Sequence, residues 1–167
     1  FIYVDDRIYF LAIGFGSEFE RVKSYAKTIG VYRQRLSFSE ALPKQDIYEL
    51  LSRADMVCSL TQDNKVLEWN SANKFFDGLA SGCATFTNYG GWQQEELVKH
   101  KAGCRLSRNM LEAKKQIIYY LENSDKLEEA KINARLLAER KYSRDLLYND
   151  LAEVISNVTN TSGKGPE

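Results

Sequence analysis

The chain has 167 residues, 44% of them hydrophobic, enough for one domain with a sizeable core. Lys plus Arg equals Asp plus Glu at 23 each, so there is no basic field of the kind that binds nucleic acid and no acidic excess of the kind that keeps a tail disordered. No apolar run approaches the length of a membrane span and no signal peptide is visible, so cytoplasmic residence is the default expectation.

Arg7 to Ile13 is a nearly continuous apolar run, expected to be a strand buried on both faces, and Gly14-Phe-Gly16 ends it. Ser17 is a plausible N-cap for the helix that follows, in which Phe19, Val22, Ala26 and Ile29 share a face before Gly30 stops it. Tyr32 to Phe38 reads as a second strand, interrupted by Arg33, Gln34 and Arg35. Pro43 suits a first helical turn, and Ile47, Leu50, Leu51 and Ala54 give the best amphipathic pattern in the chain. Asp55 to Thr61 is a short third strand, followed by a polar loop, Gln62 to Asn70, with no pattern of its own. The helix from about Ser71 to Ser81 is expected to bury Phe75, Phe76, Leu79 and Ala80. Cys83 to Asn88 is a fourth strand, Gly90-Gly91 a turn, Trp92 to Lys101 a helix and Gly103 to Leu106 a last short strand. From Asn109 the pattern is helical to about Asn157, divided into three helices at Asn123-Ser124 and Tyr142-Ser143.

Strands alternating with helices at this spacing specify an α/β fold: a Rossmann-like parallel sheet with helices on both faces and a helical C-terminus. Residues 1–158 are expected to form a single domain and 159–167 a flexible tail. The chain begins at Phe1, without an initiator methionine and almost at once with a strand, as expected of a piece of a longer protein. Cys58, Cys83 and Cys104 are odd in number and widely spaced in apolar segments, so they read as buried reduced thiols. With a single lysine-flanked histidine, His100, they make a poor zinc set, and no metal is expected.

In a parallel sheet ligands bind beyond the carboxyl ends of the strands. Gly14 to Gly16, Ser39-Glu40, Thr61 to Asn70 and Tyr89 to Trp92 all fall at those ends. The stretch from Asn70 to Trp92 packs a polar helix entrance, a helix, a strand and a glycine turn, and such an entrance offers free backbone N–H groups and the positive end of a helix dipole to an anion. A dinucleotide fingerprint would need a third small residue where Phe19 stands, so the glycine pair alone makes a tight turn or a close approach to a ligand. No lysine-serine phosphate loop is present, Ser17 is not in a nucleophile elbow, and His100 sits at a solvated helix end.

Four segments carry a resemblance: Gly-x-Gly-Ser-Glu after the first strand, Tyr-Glu-Leu-Leu-Ser-Arg-Ala-Asp before the third, Ser-Ala-Asn-Lys-Phe-Phe-Asp-Gly-Leu-Ala-Ser-Gly, and Asn-Tyr-Gly-Gly-Trp. Together they resemble the C-terminal, donor-binding half of a retaining GT-B glycosyltransferase, closest to bacterial family 4 enzymes of surface polysaccharide synthesis, including a group similar to acetamido-deoxysugar transferases. The resemblance implies a nucleotide-sugar donor, with a UDP-sugar favoured, a hexose or acetamido sugar transferred, and no metal or other cofactor. It also implies a missing N-terminal GT-B domain without which the chain is inactive, and a full-length protein at the inner face of the membrane. Carried over residue by residue, it places Asp77 at the ribose, Ala72, Asn73 and Lys74 near the diphosphate, Gly14 and Gly16 facing the donor, and Ser39 and Glu40 at the nucleobase. Gly90, Gly91 and Trp92 complete the expected donor site, Trp92 as an apolar wall against a deoxy or N-acetyl sugar. Two departures bear on the sugar: Trp69 stands where the family has a Glu, with Glu68 beside it, and Gln94 stands where the family usually has Glu, with Glu95 next. The catalytic residue is not assigned. A non-catalytic α/β module that binds a nucleotide or docks a partner is the alternative reading.

Overall fold

The computed structural model describes residues 5–161. The elements run β1 (Phe10–Ile13), α1 (Phe19–Thr28), β2 (Leu36–Ser39), α2 (Lys44–Leu51), β3 (Met56–Ser59), a 3-10 helix (Lys65–Trp69), α3 (Asn73–Ala80), β4 (Ala84–Thr87), α4 (Trp92–His100), β5 (Gly103–Arg105), α5 (Met110–Glu122), α6 (Ser124–Lys141) and α7 (Arg144–Thr161). All pairings are parallel, as the alternation of strands and helices requires. The strands divide into two ladders, β1-β2 and β3-β4-β5, rather than the single sheet expected.

The larger ladder is covered on both faces, and the alternation of β4 shows how. Ala84 and Phe86 join Leu106, Ala113, Ile117 and Ala130 in one core cluster, beneath α5 and the first half of α6. Thr85 turns to the other face, where a Cβ on Gly78 of α3 would come within 2.9 Å of its Oγ1. On that face Phe75, Leu79, Leu97, Ala134 and Leu137 tie α3, α4 and the second half of α6 together. One helix, α6, thus contributes to both cores.

The smaller ladder is less enclosed. α1 packs Ala26 with Val31 and Leu36, flanked by Phe10 and Phe38. Tyr9 and Leu11 remain 60% and 37% exposed, so β1 is shorter than the apolar run and is not buried on both faces. Its one hydrogen-bonded neighbour among the described residues is β2.

Local expectations fail where capping or packing takes another course. α1 begins at Phe19, and neither Ser17 nor Glu18 caps it through a side chain. Tyr32 makes only an isolated bridge to Leu36 and residues 33–35 form a turn in which Arg33 takes a φ of 60°, so β2 starts only at Leu36. Despite its amphipathic pattern α2 has no buried residue, because Ile47 and Leu51 find only partial cover. The stretch read as a patternless loop holds the 3-10 helix, capped by Asn64 Oδ1 accepting from the Val66 N–H at 3.0 Å. In α3 it is Gly78, not Ala80, that is buried. The helix breaks at Asn123 and Tyr142 fall where expected, with Asn109 capping α5. α7 runs to Thr161, into the stretch expected as a tail, and residues 162–167 lie outside the described residues.

Candidate functional site

The sequence-selected residues gather into two groups at the carboxyl ends of the two ladders. In the first, the Gly14 N–H donates to the Ser39 carbonyl at 3.0 Å, closing the loop after β1 onto the end of β2. Gly14 has a φ of 140°, and neither it nor Gly16 has any atom within 4 Å of an added Cβ, so both face open space. Ser39 Oγ donates to the Glu40 carbonyl at 3.1 Å, and the Glu40 side chain is exposed. Gly16, Ser17 and Glu40 border a cleft of about 550 Å³ floored by Phe19, Tyr32 and Phe38. Phe19 meets Phe38 edge to face at 5.6 Å, while Lys23 sits over the Phe19 ring and Arg33 over the Tyr32 ring, each at 5.4 Å.

The second group lies where α3 and α4 begin. Ala72 is the N-cap of α3 and offers no side-chain acceptor; the Phe75 N–H donates to the Ala72 carbonyl at 3.0 Å, and the N–H groups of Asn73 and Lys74 keep their donor capacity. Ala72 is buried, while Asn73 and Lys74 are exposed in the first turn. Asp77, one turn on, has its Oδ1 3.6 Å from Lys44 Nζ at the start of α2. The Lys44 ammonium is pushed above its ordinary value, first by its bond to Tyr48 and then by the Asp77 charge. Lys44 was not singled out from the sequence, where 33 positions separate it from Asp77 and no local pattern marks it.

α4 likewise starts without a side-chain cap, from Gly91 at φ 85°. A Cβ on Gly91 would come within 2.3 Å of the Glu68 carbonyl oxygen, and one on Gly90 within 3.3 Å of the Glu68 carboxylate and 3.4 Å of the Arg105 guanidinium. The 3-10 helix thus lays Glu68 against the glycine turn and leaves Trp69 84% exposed. Trp92 meets Phe75 at 5.7 Å, Phe76 at 6.0 Å and Tyr142 at 6.3 Å, so its ring belongs to an aromatic cluster shared by α3, α4 and the α6–α7 junction. Gln94 is half-buried and Glu95 exposed.

A buried polar network below this region escaped sequence reasoning. The Tyr89 hydroxyl lies 2.8 Å from Ser59 Oγ and donates to Gln93 Oε1 at 2.5 Å. Asn88 exchanges two bonds with Thr61, its Oδ1 accepting from the Thr61 N–H and its Nδ2 donating to the Thr61 carbonyl. Burial pushes the Tyr89 hydroxyl up from its ordinary value. The three cysteines are free, and burial pushes each thiol up to about 11. Among the described residues no group of three His, Cys, Asp or Glu side chains gathers. His100 Nε2 lies 3.7 Å from Glu96, away from both groups of loops. Burial alone would raise Glu96, but bonds from Lys141 and Tyr142 outweigh it and hold the carboxyl below its ordinary value. Among the described residues no helix is long and apolar enough to cross a membrane.

Residues 14–154 match the family described as glycosyl transferase-like. No curated protein sequence matches the chain significantly. Among solved structures, Anabaena HepE in complex with UDP-glucose is similar at a TM-score of 0.74 and 17% identity, over 92% of this chain and 42% of HepE. A glycosyltransferase from Rickettsia africae is similar at 0.70 and 18% identity, over 91% of this chain and 40% of that one. The C-terminal domain of a group 1 glycosyl transferase, LpcC, from Francisella tularensis is similar at 0.59 and 15% identity, over 77% of this chain and 64% of that domain. The chain therefore spans less than two thirds of each of these structures, and at such identities the likeness is one of fold.

Proposed function

The chain belongs to the glycosyl transferase-like family, and from that premise we propose that it is the donor-binding half of a retaining, family 4-like GT-B glycosyltransferase that uses a UDP-sugar. The observation that carries the reading is the pair of helices, α3 and α4, that begin without side-chain caps at the carboxyl ends of β3 and β4. That arrangement suits a diphosphate, whose oxygens accept from the first backbone N–H groups. HepE, of the same fold, is described in complex with UDP, with UDP and glucose, and with UDP-glucose.

In this reading Ala72, Asn73 and Lys74 receive the diphosphate, with the Lys74 ammonium compensating its charge. The Gly90-Gly91 turn and Trp92 border the distal phosphate and the sugar. Asp77 accepts from the ribose hydroxyls, sharing its carboxylate with Lys44. Gly14, Gly16, Ser39 and Glu40 edge the nucleoside. Glu68 supplies the carboxylate at the glycine turn in place of Trp69. As the glycosidic bond to the leaving diphosphate breaks, negative charge gathers on its oxygens, and preorganised donors at the α3 N-terminus stabilise it without a metal. The transferred group is a hexose or an acetamido sugar, bound for a bacterial surface polysaccharide. An N-terminal GT-B half supplies the acceptor side, and the chain alone transfers nothing. That half also gives a partner to α7, where Leu147, Tyr148, Leu151, Val154 and Ile155 are 48% to 69% exposed.

Titration of the chain with UDP by calorimetry tests the proposal. We expect saturable binding, weakened about tenfold by Asp77→Ala and about fivefold by Lys74→Ala, the loss of one charge-assisted hydrogen bond each. Absence of binding by UDP and every other nucleoside diphosphate would sink the donor reading.

A further inference from the structure

The proposed donor site depends on two consecutive glycines following a fixed path from β4 into α4. Glycine has no side chain to anchor that path, so neighbouring groups must do so. On one side the Glu68 carbonyl closes over Gly91. On the other stands the network of Ser59, Tyr89 and Gln93, exposed by 0%, 1% and 0%. Ser59 ends β3, Tyr89 immediately precedes the glycines, and Gln93 sits in the first turn of α4. Three buried polar side chains therefore span from the end of one strand to the start of a helix, with the glycine turn between the second and the third.

Packing alone does not account for this network. The Gln93 Nε2 is buried without a hydrogen-bond partner among the described residues, and so is the nearby Thr61 Oγ1. A half-satisfied polar network is less stable than an apolar filling of the same volume. A leucine or methionine at position 93 would fill the space without the orphaned donor. The Tyr89–Gln93 bond is directional where an apolar contact is not, so it fixes the rotation of the first turn of α4 relative to β3.

We infer that Tyr89 is a positioning residue, whose hydroxyl, bonded to Ser59 and Gln93, fixes the Gly90-Gly91 turn and the α4 N-terminus in the geometry that receives the distal phosphate. The inference rests on the donor-binding reading. Tyr89 does not touch the donor, and acts through the turn it precedes.

Tyr89→Phe removes the hydroxyl and keeps the ring. The test is titration of the chain and of this variant with UDP and with UMP, together with amide hydrogen exchange at Gly90, Gly91 and Trp92. We expect UDP affinity to fall about fivefold and UMP affinity less than about twofold, because only UDP carries the distal phosphate. Exchange at the three amides rises while the melting temperature stays within a few degrees. Gln93→Met, which breaks the Tyr89–Gln93 bond alone, weakens UDP over UMP in the same sense, and adding it to Tyr89→Phe loses nothing further, since Tyr89→Phe already breaks that bond. Unchanged UDP affinity or unchanged exchange in Tyr89→Phe overturns the inference, as does equal weakening of UDP and UMP, which marks a merely structural role. If the unsubstituted chain binds no nucleotide, the donor reading and this inference fall together. If it binds and Tyr89→Phe is silent, the inference alone falls.

Discussion

Gly91 sits at φ 85°, and any Cβ there would lie within 2.3 Å of the Glu68 carbonyl oxygen. Both the backbone conformation and the space exclude a side chain, so Gly91→Ala is expected to destabilise the fold by about 2–4 kcal/mol and to displace the 3-10 helix with Glu68. Gly16 is the control. It has no positive φ and nothing within 4 Å of an added Cβ, so Gly16→Ala should leave stability within about 0.5 kcal/mol. Thermal melts of the two variants decide the matter, and equal losses would refute the difference. At this scale the sequence was legible where chemistry is local: Gly90-Gly91 was readable as a turn, and the positive φ of Gly91 is backbone that glycine tolerates best. The partners that constrain the turn were not readable. Ser59 and Tyr89 are 30 positions apart, Lys44 and Asp77 meet across two elements, and Glu68 reaches the turn only because a short helix lies where no periodicity announced one.

The elements differ in how firmly the rest of the fold holds them. All four residues of β4 are buried, whereas α2 has no buried residue at all. Phe86 in β4 is 0% exposed and meets Tyr120 edge to face at 5.1 Å, while Leu50 in α2 is 37% exposed. Phe86→Ala is therefore expected to cost about 3–5 kcal/mol and Leu50→Ala under about 1 kcal/mol, readable as shifts of a denaturant midpoint. Comparable shifts would mean that α2 is docked far more tightly than its exposure indicates. The same contrast explains which elements the sequence disclosed. The breaks before α6 and α7 fall where polar residues interrupt the helical pattern, signals carried within a few positions. The amphipathic face of α2 was correctly read as helical, but its shallow burial was not legible, because periodicity reports a helix and not how closely another element approaches it. The division into two ladders was not visible either, since strand order is a long-range property that alternation of elements leaves open.

Across the whole molecule the three thiols report on burial at two places: Cys58 in β3 and Cys104 in β5 flank Phe86 on one core, and Cys83 lies before β4. Burial raises each from 9.0 to about 11. A thiol whose folded value is raised is neutral in the folded state where the unfolded chain has already lost the proton. The stability it supports is complete below about pH 9 and declines as pH rises from 9 toward 11. The melting temperature is expected to fall across that interval, and to fall less steeply in Cys58→Ala; an identical slope in the variant would show that the thiol does not contribute. The double role of α6 has a consequence for how the protein is made. Its Ala130 closes the core against β4 and α5, and its Ala134 and Leu137 close the core against α3 and α4. A ribosome delivers all five described strands before this helix, so neither of these two cores can be completed until the chain has emerged past Leu137. A nascent chain stalled short of that point carries every described strand with these two cores unsealed, which makes the interval before Leu137 emerges one in which chaperones have something to hold.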